Sequence, residues 1–236
     1  MKILYKKFIE RLSLKLIKSY CKYRILKKIP DLENFIEKSI STGASYIDYY
    51  TIYSRIIKSK HRIVLECGSG VTTYIICKAL EELEQKHNIT GVKCVTLEEI
   101  DKYQKNLIAI FPDSLRKNVE FVLSKRCEKK YEFLTGVGYE KIPKLSYDFV
   151  LIDGPNSISP SDGIKKFNFD FIEVILNNES NKSVDLIIDK RINTVLAYKM
   201  LFGKKIKYNK FLTLGFGTNI TKSDLLKNNK SKLYEK

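Results

Sequence analysis

The chain has no tryptophan, and only five prolines and eleven glycines among 236 residues. So little Pro and Gly, without a period, excludes collagenous and low-complexity classes. The five cysteines, Cys21, Cys67, Cys77, Cys94 and Cys127, are odd in number and form no CxxC pair. They offer neither a disulfide framework nor a structural zinc site, and a reducing, cytoplasmic setting is expected. Only two histidines occur, His61 and His87; neither has metal-ligand spacing, and both are expected at the surface. No apolar run approaches the roughly 18 residues of a membrane span. Lys or Arg at positions 2, 6, 7, 11, 15 and 18 interrupts the N-terminus, so it holds no apolar segment of a signal peptide. A phosphate loop of the G-x-x-x-x-G-K-[ST] type and a G-x-S-x-G nucleophile elbow are absent as well.

What is present is a composition 44% apolar and 30% charged, enough for one sizeable core with an appendage. The net charge of +16 is unevenly spread: residues 1–62 carry +10, residues 63–198 carry −2 and residues 199–236 carry +8. A near-neutral core with basic ends points to terminal surfaces for an anionic partner, nucleic acid or lipid, or to solvated charge alone. We expect a basic helical extension over 1–60, a globular unit over 61–220 and a frayed tail over 221–236.

Residues 1–28 contain neither Gly nor Pro, and helical spacing gathers Tyr5, Phe8, Ile9, Leu12 and Leu16 on one side and a Lys/Arg row on another. Such a helix docks on its own core or lies on an anionic membrane surface. Asp31 is placed to cap a second helix ended by Ser41-Thr42-Gly43, and residues 45–59 read as a third. Short apolar runs at 62–65, 93–97, 119–123, 147–152 and 184–188 then alternate with helical stretches at 71–86, 101–111, 164–177 and 191–202. Runs at 205–208 and 211–214 complete seven expected strands. The order implies an α/β fold, a doubly wound, mainly parallel sheet with helices on both faces.

Ligands of such sheets sit beyond the carboxyl ends of the strands, where strand order reverses. The first strand runs into Glu66-Cys67-Gly68-Ser69-Gly70-Val71-Thr72-Thr73, a turn that opens a helix and admits close backbone approach. A dinucleotide fingerprint would want a third glycine where Thr73 stands, and Glu66 would repel a diphosphate but attract an α-ammonium. The second strand ends in Leu97-Glu98-Glu99, which offers a carboxylate to both hydroxyls of a ribose. A nucleoside bearing a zwitterionic amino-acid arm, S-adenosylmethionine, meets all three features.

The glycine turn, Thr96-Leu97-Glu98-Glu99 and Tyr147-Asp148-Phe149-Val150-Leu151-Ile152-Asp153-Gly154-Pro155, in this order, resemble the class I, Rossmann-like S-adenosylmethionine-dependent methyltransferases. The likeness spans about residues 45–220. It implies that Glu66, Gly68, Ser69 and Gly70 hold the methionine arm, that Thr72 is a further cofactor-binding residue, that Glu98 holds the ribose, or Glu99 if the strand ends one residue later, and that Asp153 lies beside the transferred methyl. Ser124 is the one candidate for the adenine side, where many members carry an acid or amide. Asp153, Asp189 and Tyr139 are the candidate bases. Some members bind a divalent cation through acids after the fourth and fifth strands, but Lys190 follows Asp189 here, so no metal is expected. The Ile152-Asp153-Gly154-Pro155 ending resembles small-molecule and glycan O-methyltransferases, so the expected acceptor is a small-molecule or sugar hydroxyl. Two alternatives stay open: an RNA methyltransferase using the basic termini, with Tyr and Phe interleaved among Lys, and a degenerate methyltransferase fold binding a membrane or partner.

Overall fold

The structure is a computed structural model and describes residues 2–41, 45–179 and 182–225, with side chains from residue 11 onward. Three helices lead in: α1 (Lys2–Lys28), α2 (Leu32–Lys38) and α3 (Tyr46–Ser59). Alternation follows through β1 (Ile63–Cys67), α4 (Val71–His87), β2 (Lys93–Glu98), α5 (Asp101–Ile110), the short α6 (Asp113–Arg116) and β3 (Val119–Leu123). A hairpin of β4 (Arg126–Tyr131) and β5 (Leu134–Tyr139) precedes β6 (Phe149–Ile152) and α7 (Asp170–Asn177). The chain closes with β7 (Val184–Asp189), α8 (Ile192–Phe202), β8 (Ile206–Asn209) and β9 (Leu214–Ile220).

Seven strands form one sheet in the order β3-β2-β1-β6-β7-β9-β8, parallel except for β9, which runs against both its neighbours. The winding reverses between β1 and β6, so the crevice at their carboxyl ends is the place for a ligand. Residues alternate between two cores, as the pleat requires: Val64, Phe149 and Leu151 face one side, and Leu65, Val150 and Ile152 the other. The first core also takes in Ile25, Ile29, Leu32, Phe35, Ile52 and Ile56, so the ends of the leading helices belong to the same packed body as the sheet. Among the described residues no helix is long and apolar enough to cross a membrane.

Several local expectations are corrected. Asp31 does not cap α2; its carboxylate accepts a 2.6 Å hydrogen bond from the buried Tyr74 hydroxyl. Of the expected helix stop, Thr42 and Gly43 lie outside the described residues. The hairpin β4–β5 was not expected. Helix α7 starts at Asp170 instead of residue 164, because the backbone before it is extended, with Val137 N–H bonded to Phe167 O and Phe169 N–H to Val137 O, both at 2.8 Å. The last strand is Leu214–Ile220, not 211–214, because the Asn209 side chain accepts from the Phe211 and Leu212 amides and folds that run into a turn. His61 is buried, stacked on Phe149 with Nε2 3.2 Å from Asp185, where a surface residue was expected. The expected fraying does not reach residues 221–225: Asp224 accepts from Thr221 and Lys205, and Leu225 is buried. Residues 226–236, and the side chains of Tyr5, Phe8 and Ile9, lie outside the description.

Candidate functional site

A cavity of about 650 Å³ opens at the carboxyl ends of β1, β2, β6 and β7, and Gly68, Ser69, Glu98, Tyr139, Asp153 and Asp189 all line it. Its construction starts with two loops in backbone contact. Gly68 has φ +98°, and a Cβ there would stand 2.8 Å from Gly154 N; a Cβ on Gly154 would stand 2.7 Å from both Gly68 Cα and the Tyr139 hydroxyl. Only glycine at both places lets the turn after β1 meet the loop after β6.

Behind the turn, Glu66 is fully enclosed and does not line the cavity. Its Oε2 accepts from the Thr73 hydroxyl at 2.5 Å, and that hydroxyl oxygen accepts from the Gly70 amide at 3.1 Å. The residue standing where a third glycine would be therefore ties the acid to the turn. Glu66 Oε1 has no hydrogen-bond partner, and burial pushes the carboxyl up to about 7 against the pull of neighbouring threonine hydroxyls. Thr72 is buried too, under the cavity floor near Asp48, Asp153 and Asp189.

Glu98 ends β2 at the cavity wall with both carboxylate oxygens held. Oε2 accepts from Ser69 N (3.2 Å) and Oγ (2.8 Å), and Oε1 from the amides of Glu99 (2.9 Å) and Ile100 (3.0 Å). Glu99 is engaged elsewhere, accepting from Asn156 N at 2.8 Å and lying 3.4 Å from Arg126. Ser124 does not reach the cavity; it is buried, and its Oγ accepts from Lys141 N.

The floor is the Asp153-Gly154-Pro155 loop, with a cis Gly154–Pro155 peptide. Two residues that the sequence reading did not single out hold it. Asn168 Nδ2 donates to the Gly154 and Pro155 carbonyls at 3.1 and 2.8 Å, and Arg191 donates to the Asp153 and Pro155 carbonyls and to Asn168 Oδ1. An amide between the aromatic rings of Phe167 and Phe169 was the available signal for Asn168, and a second cation after Lys190 at the β7 end was that for Arg191. Asp153 and Asp189 are both pushed up by burial, Asp153 also by Asp189, with Arg191 opposing, and Asp189 also by Asp48, with Lys190 opposing. Lys190 Nζ stands 3.5 Å from Asp189 and 3.6 Å from Asp48, which the start of α3 carries to this point. Tyr139, delivered by the end of β5, is buried against the loop with its phenol pushed far up by burial. Among the described residues no group of three or more His, Cys, Asp or Glu side chains is arranged for a metal ion.

No protein-family model and no curated protein matches the chain. Among solved structures, a methyltransferase from Geobacter sulfurreducens aligns over 82% of this chain and 90% of its own, at 10% identity and a TM-score of 0.50. The chain has the Rossmann-like methyltransferase fold. An O-methyltransferase from Bacillus cereus solved with SAH (14% identity, 87% of this chain and 80% of that one, TM-score 0.44) is also similar. So is the O-methyltransferase TomG from Streptomyces achromogenes, solved with SAM (12% identity, 89% and 78%, TM-score 0.40). Within the methyltransferase fold, the cavity lies at the sheet's reversal point, and six of the ten residues singled out from sequence meet there while Glu66, Gly70, Thr72 and Ser124 are buried and do not line it.

Proposed function

We propose that the chain is an S-adenosylmethionine-dependent methyltransferase acting on a hydroxyl of a small molecule or sugar. The observation that carries this reading is Glu98, a carboxylate fixed by four donors at the cavity wall beside the Gly68-Ser69 turn. A carboxylate acceptor suits the cofactor: two ribose hydroxyls would donate to it in the places on Oε2 that the Ser69 amide and hydroxyl hold in this structure, and Ser69 sits where the amino-acid arm would follow. Glu66, with one orphaned buried oxygen, would act on that arm through the turn it braces. When bound, the cofactor supplies an electrophilic methyl group on a good leaving group.

The protein's own task is therefore placement of the acceptor oxygen, which provides most of the acceleration. Asp153, exposed to the cavity for about 30% of its side chain, is the base for the hydroxyl proton, and its raised affinity for protons suits it to that step. Asn168 and Arg191 keep the loop that carries it in place. The free, unpaired thiols of all five cysteines support a reducing, cytoplasmic setting. Thermal unfolding with S-adenosylmethionine or S-adenosylhomocysteine tests the reading. Ligand at 100 times its dissociation constant adds about 2.7 kcal/mol and raises the midpoint by several degrees, and Glu98→Ala shrinks the shift. No shift with either ligand rejects the proposal.

A further inference from the structure

The leading helix ends in the core but does not begin there. Cys21 and Ile25 of α1, with Ile29 just after it, are buried, whereas Leu12, Leu16, Tyr20 and Tyr23 are exposed, Leu16 for 64% and Tyr23 for 63%. Their spacings of 4, 4 and 3 place these four on one stripe, on the face opposite Cys21 and Ile25. Arg11, Lys15, Lys18 and Lys22 are exposed along one flank of that stripe. Lys22 pairs with Glu33, and Arg24 lies against the Tyr20 and Tyr50 rings, which fixes the docked end; Arg11, Lys15 and Lys18 have no ion pair among the described residues. The whole helix carries ten Lys/Arg and a single acid, Glu10.

We infer that α1 seats the protein on an anionic lipid bilayer, with Leu12, Leu16, Tyr20 and Tyr23 in the headgroup and acyl boundary and the basic row on the anionic headgroups. Charge complementarity selects this occupant. Two copies of the helix facing each other would bring like charges together, and a nucleic acid backbone would leave Leu12 and Leu16 with nothing apolar to cover them. An interfacial helix uses both halves at once, apolar side chains at the acyl boundary and Lys/Arg on the phosphates. Tyrosines at the end of the stripe suit the same boundary, each with an apolar ring and a polar tip. The inference does not depend on the cofactor reading, because none of these side chains lines the cavity.

The test is flotation of the full chain with vesicles of phosphatidylcholine containing about a third phosphatidylglycerol, against pure phosphatidylcholine. At low salt the protein floats with the anionic vesicles at least about tenfold better than with the neutral ones, and raising the salt releases it. Leu12→Glu/Leu16→Glu and, separately, Lys15→Glu/Lys18→Glu each lower binding about tenfold or more, with the thermal midpoint unchanged because all four side chains are exposed. Absence of flotation at low salt, or flotation unaltered in the leucine variant, overturns the assignment. A dimer that the leucine variant dissociates, without flotation of the wild type, assigns the stripe to a second copy and overturns it equally.

Discussion

Replacing Glu66 with glutamine separates the charge of this buried acid from its shape. The carboxyl has no exposed surface and one unpartnered oxygen, and its pKa is pushed from 4.5 to about 7 by burial, with the hydroxyls of Thr72, Thr73 and Thr96 opposing and Glu98 adding a little. A folded-state pKa above the unfolded value means that the native state holds the proton more tightly. Its stabilising contribution is complete below about pH 4.5 and is lost as pH rises through about 7. Two to three pH units of separation correspond to about 3 kcal/mol at the alkaline end. A glutamine side chain never ionises, and its carbonyl oxygen still accepts from Thr73, so the variant escapes that loss. Urea unfolding of the ligand-free protein at pH 5 and pH 8 reads the effect: the stability of Glu66→Gln relative to wild type rises by about 2 kcal/mol across that interval. Asp170 is also raised, but it titrates in both proteins and cancels in the difference; Asp153 cancels apart from the small share of its rise that comes from the Glu66 charge. A difference that stays flat from pH 5 to pH 8 refutes the idea that Glu66 is a desolvated acid behind the turn.

Three further outcomes follow from the floor of the cavity. Gly154→Ala places a methyl 2.7 Å from Gly68 Cα and from the Tyr139 hydroxyl; it costs about 3 kcal/mol in chemical unfolding and weakens ligand binding together with stability. Asn168→Ala leaves the Gly154 and Pro155 carbonyls without their amide donor and strips an acceptor from Arg191 and Thr194, a loss of about 3 kcal/mol by the same assay. With a hydroxyl acceptor in hand, kcat/KM climbs as pH rises above the ordinary carboxylate range, because Asp153 must be deprotonated to act and is pushed up by burial and by Asp189. The limb disappears in Asp153→Asn, and a flat profile in the wild type removes Asp153 from the base role.

The sheet and the cavity edge were legible because they rest on local chemistry. Buried parallel strands appear as short apolar runs, and the Gly68 turn and Glu98 lie directly after two of them. The hairpin was hidden because Arg126-Cys127-Glu128-Lys129-Lys130-Tyr131 is too polar to read as a strand. It forms by pairing with Leu134–Tyr139, whose second half is buried, while its own residues stay half-exposed. The start of α7 was misplaced because Ile164 to Phe169 has the apolar content of a helix, while Asn168 commits its side chain to two distant carbonyls and its neighbours Phe167 and Phe169 pair with Val137. Asp31 shows the same override at one residue: it has the chemistry of a cap, but the Tyr74 hydroxyl takes its carboxylate from 43 positions away. Similarly, no spacing rule reveals that Asp48, on a helix before the sheet begins, meets Lys190 and Asp189 beside the cavity. Side-chain partners distant in sequence decided these places, and a single chain's periodicity does not encode them.

The most direct test of the central proposal is calorimetric titration of the ligand-free protein with S-adenosylhomocysteine, for wild type and Glu98→Ala. One site per chain in the wild type, with affinity lowered at least about tenfold in the variant at a temperature where both proteins are folded, is the predicted result. No heat of binding in the wild type, or equal affinity in the two proteins, contradicts the placement of the cofactor against Glu98.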